Sequence, residues 1–297
     1  MKREKLVYIF NKTENFMWSI DYFFKRLFSK KIGYQLKRNK CFNASHKGET
    51  CFILGNGPSL RLEKSLWRIA NYPVFTVNQF YRSELFNAVQ TNFHLMTDPL
   101  FFELDKNNSD DLDTISRMDC LIGRKDIVKF FPIEAKNYLE TNFSINETCY
   151  FIKNRYVLTE KYSKAFRLDG YLPTSRNVVQ TAIYVAISMG FKNIVLLGCD
   201  MTGLLDNYVK KSPDYQEKFS HAYDYTEQEK RRMKRVHIMS SNEYVLQGFY
   251  SMFKDFRLIL DYSKKHGLNI YNASKITAID SIPVTSLEDF LKELENK

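Results

Sequence analysis

The stretch Cys51-Phe-Ile-Leu-Gly55-Asn56-Gly57-Pro58-Ser59-Leu60 decides the fold. A short apolar run that stops at two glycines and a proline reads as a buried strand, a tight turn and a helix start. Working outward, further strands are expected at Pro73–Val77, Asn92–Met96, Asp119–Ile122, Cys149–Ile152, Asn193–Gly198 and Leu268–Tyr271. Helical patterns lie between them. Over Thr174–Met189 one face carries Val178, Val179, Ala182, Ile183, Ala186 and Ile187, and Gly190 follows as a C-terminal stop. Ser240 and Glu243 form a capping box that opens a helix with Val245, Leu246, Phe249, Phe253, Phe256 and Leu260 inside, ending at the basic turn Lys264-Lys265-His266-Gly267. Strands alternating with helices predict an α/β, Rossmann-like, doubly wound and mostly parallel sheet.

Composition agrees with a globular enzyme-sized chain. The 297 residues are 44% hydrophobic and 26% charged, which excludes wholesale disorder, and 11 Gly with 7 Pro exclude collagen or a Pro-rich scaffold. Residues 1–40 hold eleven Lys/Arg against three acids, so +8 of the net +10 belongs to an appendage and the body is nearly neutral. That placement argues against a nucleic-acid partner. Within the appendage, Phe16, Ile20, Phe23, Phe24, Leu27 and Phe28 recur at helical spacing, with Lys25, Arg26, Lys30 and Lys31 opposite. Such a helix lies on an anionic membrane surface through residues 1–40, or packs on the domain or a second subunit. Five widely spaced cysteines without a CxxC pair suit a reducing compartment, and no run approaches a membrane span. The expected location is cytoplasmic, either free or peripheral on the inner face of the membrane. The expected organisation is a basic extension over 1–48, a body over 49–275 with a lid near 203–240, and a helical tail over 276–297.

In a sheet of this type ligands bind beyond the carboxyl ends of the strands. The residues there are Asn56, Gly57 and Ser59 after the first strand, Asn78-Gln79-Phe80-Tyr81 after the second, Thr97-Asp98 after the third, and Gly198-Cys199-Asp200 with Thr202 after Asn193–Leu197. Leu60 occupies the third glycine position of a dinucleotide fingerprint, so that motif is incomplete. One polar strand end is ordinary turn chemistry, whereas four in a row suggest a lined crevice.

Gly55-Asn-Gly-Pro-Ser-Leu, Asn78-Gln-Phe-Tyr, Thr174-Ser175, and Gly198-Cys-Asp with Tyr208 eight residues beyond Asp200 resemble the bacterial sialyltransferases of glycosyltransferase family 42 over residues 50–275. Motility accessory factor proteins and MptE-like pterin diphosphokinases share parts of the pattern. The resemblance implies a GT-A-like Rossmann variant and an inverting transfer of a nonulosonic acid from its CMP form to a hydroxyl of a glycan or lipid-linked acceptor, as in capsule or lipooligosaccharide synthesis. It implies no metal and no other cofactor, and a homo-oligomer. Asn56 and Asn78 would bond the nucleotide part, Thr174 and Ser175 would lie near the cytidine or its phosphate, Asp200 would shape the donor pocket and Tyr208 would steady the leaving phosphate. Two positions depart from the family pattern. Thr202 stands where a second tyrosine is usual, and Tyr171-Leu-Pro replaces an arginine before the Thr-Ser pair. The alternative on the same scaffold is an MptE-like diphosphokinase or a Kdo-type glycosyltransferase.

The resemblance also implies a histidine base, and His221 in Phe219-Ser-His-Ala-Tyr-Asp-Tyr is the first choice, since imidazole takes a proton near neutral pH. His237 is second. The run Lys230-Arg231-Arg232-Met-Lys234-Arg235 is either a solvated helix face or a cationic mouth over an acidic ligand. Asp111-Leu-Asp113 matches a metal-binding D-x-D but lies away from any strand end and reads as helix capping.

Overall fold

The structure is a computed structural model and describes residues 30–203, 221–236 and 241–296. Seven parallel strands form one sheet in the order β5-β4-β3-β2-β1-β8-β9. They are β1 (Thr50–Leu54), β2 (Val74–Val77), β3 (Phe93–Leu95), β4 (Val128–Pro132), β5 (Cys149–Ile152), β8 (Asn193–Leu197) and β9 (Asn269–Asn272). A separate two-stranded ribbon pairs β6 (Asn154–Tyr156) with β7 (Leu172–Pro173). The main helices are α1 (Lys30–Arg38), α2 (Leu112–Gly123), α3 (Lys136–Asn142), α4 (Val178–Met189), α5 (Glu227–Val236), α6 (Asn242–Lys265) and α7 (Leu287–Glu295). The fold is α/β and Rossmann-like, as the alternation of strands and helices predicts.

β1 shows why the apolar run cannot alternate with polar residues. All five of its residues are buried. Cys51 and Ile53 join the core under α4 and α6, whereas Phe52 and Leu54 join the core on the opposite face with α2, α3 and α7. A parallel sheet covered on both faces needs apolar side chains on both. From β1 the chain winds one way to β5 and then crosses to β8 on the other side of β1. The switch point therefore lies between the carboxyl ends of β1 and β8.

Three expectations are corrected. Asp119–Ile122 is not a strand but the last turns of α2, whose Met118, Leu121 and Ile122 face the core at helical spacing. The true strand is β4, disguised by Lys129 inside it; that lysine is fully buried and its ammonium bonds the carbonyls of Ile122 in α2 and of Arg124 just after it. The helix after the Thr174-Ser175 pair begins only at Val178, with Asn177 accepting from Val179 N at 2.7 Å as its cap. α6 is capped by Ser241, which accepts from Tyr244 N at 3.2 Å, one residue later than the capping box places it, and Ser240 lies outside the described residues.

Part of the expected extension belongs to the body. Asn39 is fully buried and donates to the carbonyls of Phe151 and Leu168 at 2.7 and 2.9 Å. Phe42 stands edge-on to Phe130 and Tyr150, and His46 stacks on Phe191. The amphipathic segment before Lys30 lies outside the described residues. No helix among the described residues is long and apolar enough to cross a membrane.

Candidate functional site

The turns after β1 and β8 are packed together so closely that only glycine fits. A Cβ on Gly55 would lie 2.4 Å from the carbonyl oxygen of Gly198, and one on Gly57 would lie 2.4 Å from the Asp200 carboxylate. Gly57 has ordinary extended angles (φ −64, ψ 141), so the requirement there is space and not backbone freedom. The amide of Gly57 donates to Gly198 O at 2.7 Å. The glycines of this motif thus bring one turn against the other.

Ser59 and Asp200 are the second link between the turns. Ser59 donates to the Asp200 carboxylate through its backbone amide at 2.8 Å and its hydroxyl at 2.5 Å. Burial raises the Asp200 pKa, and the two Ser59 bonds work against that rise. From the other side the segment after β9 buttresses β8: Thr277 donates its hydroxyl to Cys199 O, and Ala278 donates its amide to Asp200 O.

Around these turns opens a cleft of two adjoining lobes. The smaller, of about 250 Å³, is lined by Asn56, Gly57, Asn78, Asp200, Met201, Thr202 and His221 among others. The larger, of about 550 Å³, is lined by Asn78, Thr97, Asp98, Glu134, Asn154, Ser175 and Arg176 among others. Asn78, Asn177 and Val178 belong to both walls. Asn78 holds a left-handed conformation (φ +45), which asparagine tolerates better than most side chains, and accepts from Thr97 N at 3.2 Å. That bond ties the end of β2 to the end of β3. Asn56 donates its amide to Val77 O at 3.2 Å, while its carbonyl oxygen is buried and has no donor among the described residues.

His221 reaches the smaller lobe because the chain leaving it is docked. The next residue, Ala222, donates to Asn56 O at 2.9 Å, and the imidazole lies against Tyr223 and Tyr225. Tyr223 is buried and its hydroxyl donates to Gln79 Oε1 at 3.4 Å. Behind it Glu229 accepts from Gln79, Thr114, Arg232 and, at 3.4 Å, Arg82. Burial pushes the Glu229 carboxyl up, and the Arg232 contacts outweigh it and hold the group below its ordinary value.

The basic run is largely a solvated helix face, since Lys230, Arg231, Lys234 and Arg235 are exposed, and Arg232 is the exception. Arg232 is fully buried on Glu229, Arg231 bonds Asp110 at 2.7 Å and Arg235 bonds Asp111 at 2.5 Å. None of Lys230 to Arg235 lines either lobe. The run clasps α5 to the start of α2. Related contacts engage both carboxylates of Asp111-Leu-Asp113. Asp111 makes no capping bond and is taken by Arg235, and Asp113 is bonded by Arg82 and Arg117.

The residues singled out by sequence therefore divide. Asn56, Gly57, Asn78, Asp200, Thr202 and His221 share the smaller lobe, and Asp98 and Ser175 share the larger with Asn78. Thr174 lines neither; it is exposed, with both its amide and hydroxyl turned onto Tyr156 O. Ser59 lines neither and acts on Asp200. Tyr208 and His237 lie outside the described residues. Sequence reasoning missed Asn154, Arg176 and Asn177. Asn177 carried a readable signal, a capping residue directly before an apolar helical run; Asn154 did not, because the ribbon that delivers it has only two short strands.

The family model described as "6-hydroxymethylpterin diphosphokinase MptE-like" matches residues 28–203. No curated protein matches the chain. Among solved structures, the sialyltransferase CstII from Campylobacter jejuni in complex with the substrate analogue CMP-3FNeuAc is similar at 18% identity and a TM-score of 0.45, over 80% of this chain and 86% of that one. The sialyltransferase CST-II with a trisaccharide acceptor and CMP is similar at 17% identity and a TM-score of 0.45, over the same shares. The MAf glycosyltransferase from Magnetospirillum magneticum AMB-1 is similar at 13% identity and a TM-score of 0.43, over 89% of this chain and 41% of that one. The likeness is one of fold.

Proposed function

Because the chain belongs to the 6-hydroxymethylpterin diphosphokinase MptE-like family, we propose that it is a nucleotide-using transferase, and specifically a glycosyltransferase that moves a nonulosonic acid from its CMP form to a sugar hydroxyl. The observation that carries this reading is the convergence of Asn56, Asn78, Asp200 and His221 on one small lobe at the switch point. The unmatched buried oxygen of Asn56 favours a ligand that donates there, as an amino group on a base or a ribose hydroxyl does. The adjoining polar lobe has room for a sugar. On this reading His221 takes the proton of the acceptor hydroxyl, the freed oxygen bonds the anomeric carbon, and the bond from that carbon to the CMP phosphate breaks on the opposite face. CMP leaves with the electron pair, Tyr208 steadies its phosphate, and the anomeric centre inverts. No metal takes part. The acceptor is a cell-surface glycan or its lipid-linked precursor, met at the cytoplasmic face of the membrane.

The description of the family favours a second reading, diphosphoryl transfer from ATP. Magnesium–nucleotide chemistry draws on carboxylates at the phosphates. The three carboxylates on the described cleft are engaged: Asp200 by Ser59, Glu134 by Lys153 and Asp98 by the amide of Leu100. Thermal unfolding separates the readings. CMP at ten times its Kd should stabilise by about 1.4 kcal/mol and lift Tm by roughly 2–3 °C, with ATP and magnesium inert. His221→Ala should keep that CMP shift and lose turnover. Stabilisation by ATP and magnesium but not CMP would reverse the ranking.

A further inference from the structure

Arg176 stands on the wall of the larger lobe, between Ser175 and the Asn177 cap of α4. Its backbone is fixed, because its amide donates to Gln180 Oε1 at 3.1 Å and the buried Gln180 is itself anchored to Met252 O. Every other arginine among the described residues has a side-chain partner, whether carboxylate, hydroxyl or carbonyl. The Arg176 guanidinium makes no such bond. It is also the one Lys or Arg among the described residues that line either lobe. The two acids beside it in the larger lobe are occupied, Glu134 with Lys153 and Asp98 with Leu100 N. The Asp255 carboxylate feels the Arg176 charge, but no bond or ion pair joins the two, and a guanidinium fork at the wall of a polar cavity suits a carboxylate, which it can grip through two parallel bonds.

We propose that Arg176 selects the acidic sugar of the donor by binding its carboxylate in the larger lobe, while the nucleotide occupies the smaller one. This rests on the CMP-donor reading and adds to it a residue that decides which sugars are taken. A neutral sugar on the same nucleotide leaves the guanidinium without its partner.

Calorimetric titration of the full chain with CMP and with CMP-3FNeuAc, an unreactive donor analogue, tests the proposal. Arg176→Gln should hold CMP within about twofold of the wild type and lose roughly 10–100-fold in affinity for the analogue. Arg176→Lys should recover part of that loss, keeping the charge without the fork. The methyl ester of the analogue should bind wild type and Arg176→Gln alike, which a purely structural role would not produce. An equal loss of CMP and analogue affinity would assign the arginine to the nucleotide phosphate, and unchanged analogue affinity would remove it from recognition; either overturns the proposal. A wild-type chain that binds neither compound overturns the CMP reading itself, and the Arg176 assignment with it.

Discussion

Two single residues show how far local chemistry reaches. At Gly57 the competing demands are a turn that any residue could adopt and a neighbour that leaves no room, and the neighbour wins. Gly57→Ala should cost about 1–3 kcal/mol by overpacking, with CMP affinity falling as the Asp200 carboxylate is displaced; urea unfolding and titration check both. His94 sits fully buried in β3, with its Nδ1 2.8 Å from the Thr76 hydroxyl and Lys129 on the next strand. Burial above all, with the Lys129 charge adding to it, lowers its pKa from 6.5 to about 3. The folded chain keeps this imidazole neutral where the unfolded chain would protonate it. Its contribution is therefore intact above pH 6.5 and declines as pH falls toward 3. His94→Gln should flatten that decline by up to about 1.4 kcal/mol per pH unit, read from the wild-type-minus-variant difference between pH 7 and 4.5.

At the scale of elements, α5 decides whether His221 is presented to the cleft. Its strongly basic sequence suggests solvent or ligand, yet Arg232 and Glu229 form a buried pair that also holds Gln79, and Gln79 accepts from Tyr223 beside His221. Removing one partner of a buried pair strands the other charge. Arg232→Met should thus destabilise by about 3–5 kcal/mol. Replacing Glu229 by Gln together with Arg232 by Met should recover most of that loss, because no charge is left alone. A double variant no more stable than Arg232→Met alone in urea would show that the pair is not the clasp. The β4 and α2 mistake has the same origin as the surprise at α5. A short apolar run at Asp119–Ile122 is compatible with either period, and a lysine inside a strand looks like a surface residue until the helix carbonyls that surround it are known.

For the whole molecule, the question is where the body begins. The basic charge sets residues 1–48 apart, but packing starts earlier, with Asn39, Phe42 and His46 bound into the sheet. Deletion of residues 1–29 should leave Tm within about 2 °C of the full chain, since single surface changes shift stability little, and should release the chain from vesicles rich in anionic lipid. Deletion of 1–40 should instead lower Tm sharply by removing Asn39, and retained vesicle binding in the shorter deletion would end the membrane role. The layered α/β sheet, the buried run of β1 and the polar strand ends were all legible in sequence, because burial on both faces forces continuous apolar runs and tight turns leave glycine and asparagine behind them. What the sequence could not specify was which polar ends meet, that Ser59 serves Asp200 and Thr174 serves Tyr156, or that one arginine of the basic run of α5, Arg232, is buried. Those outcomes depend on partners on other elements, from 18 to 150 residues away, and a side chain's role follows from the charge and space it meets, which only the closed tertiary fold supplies.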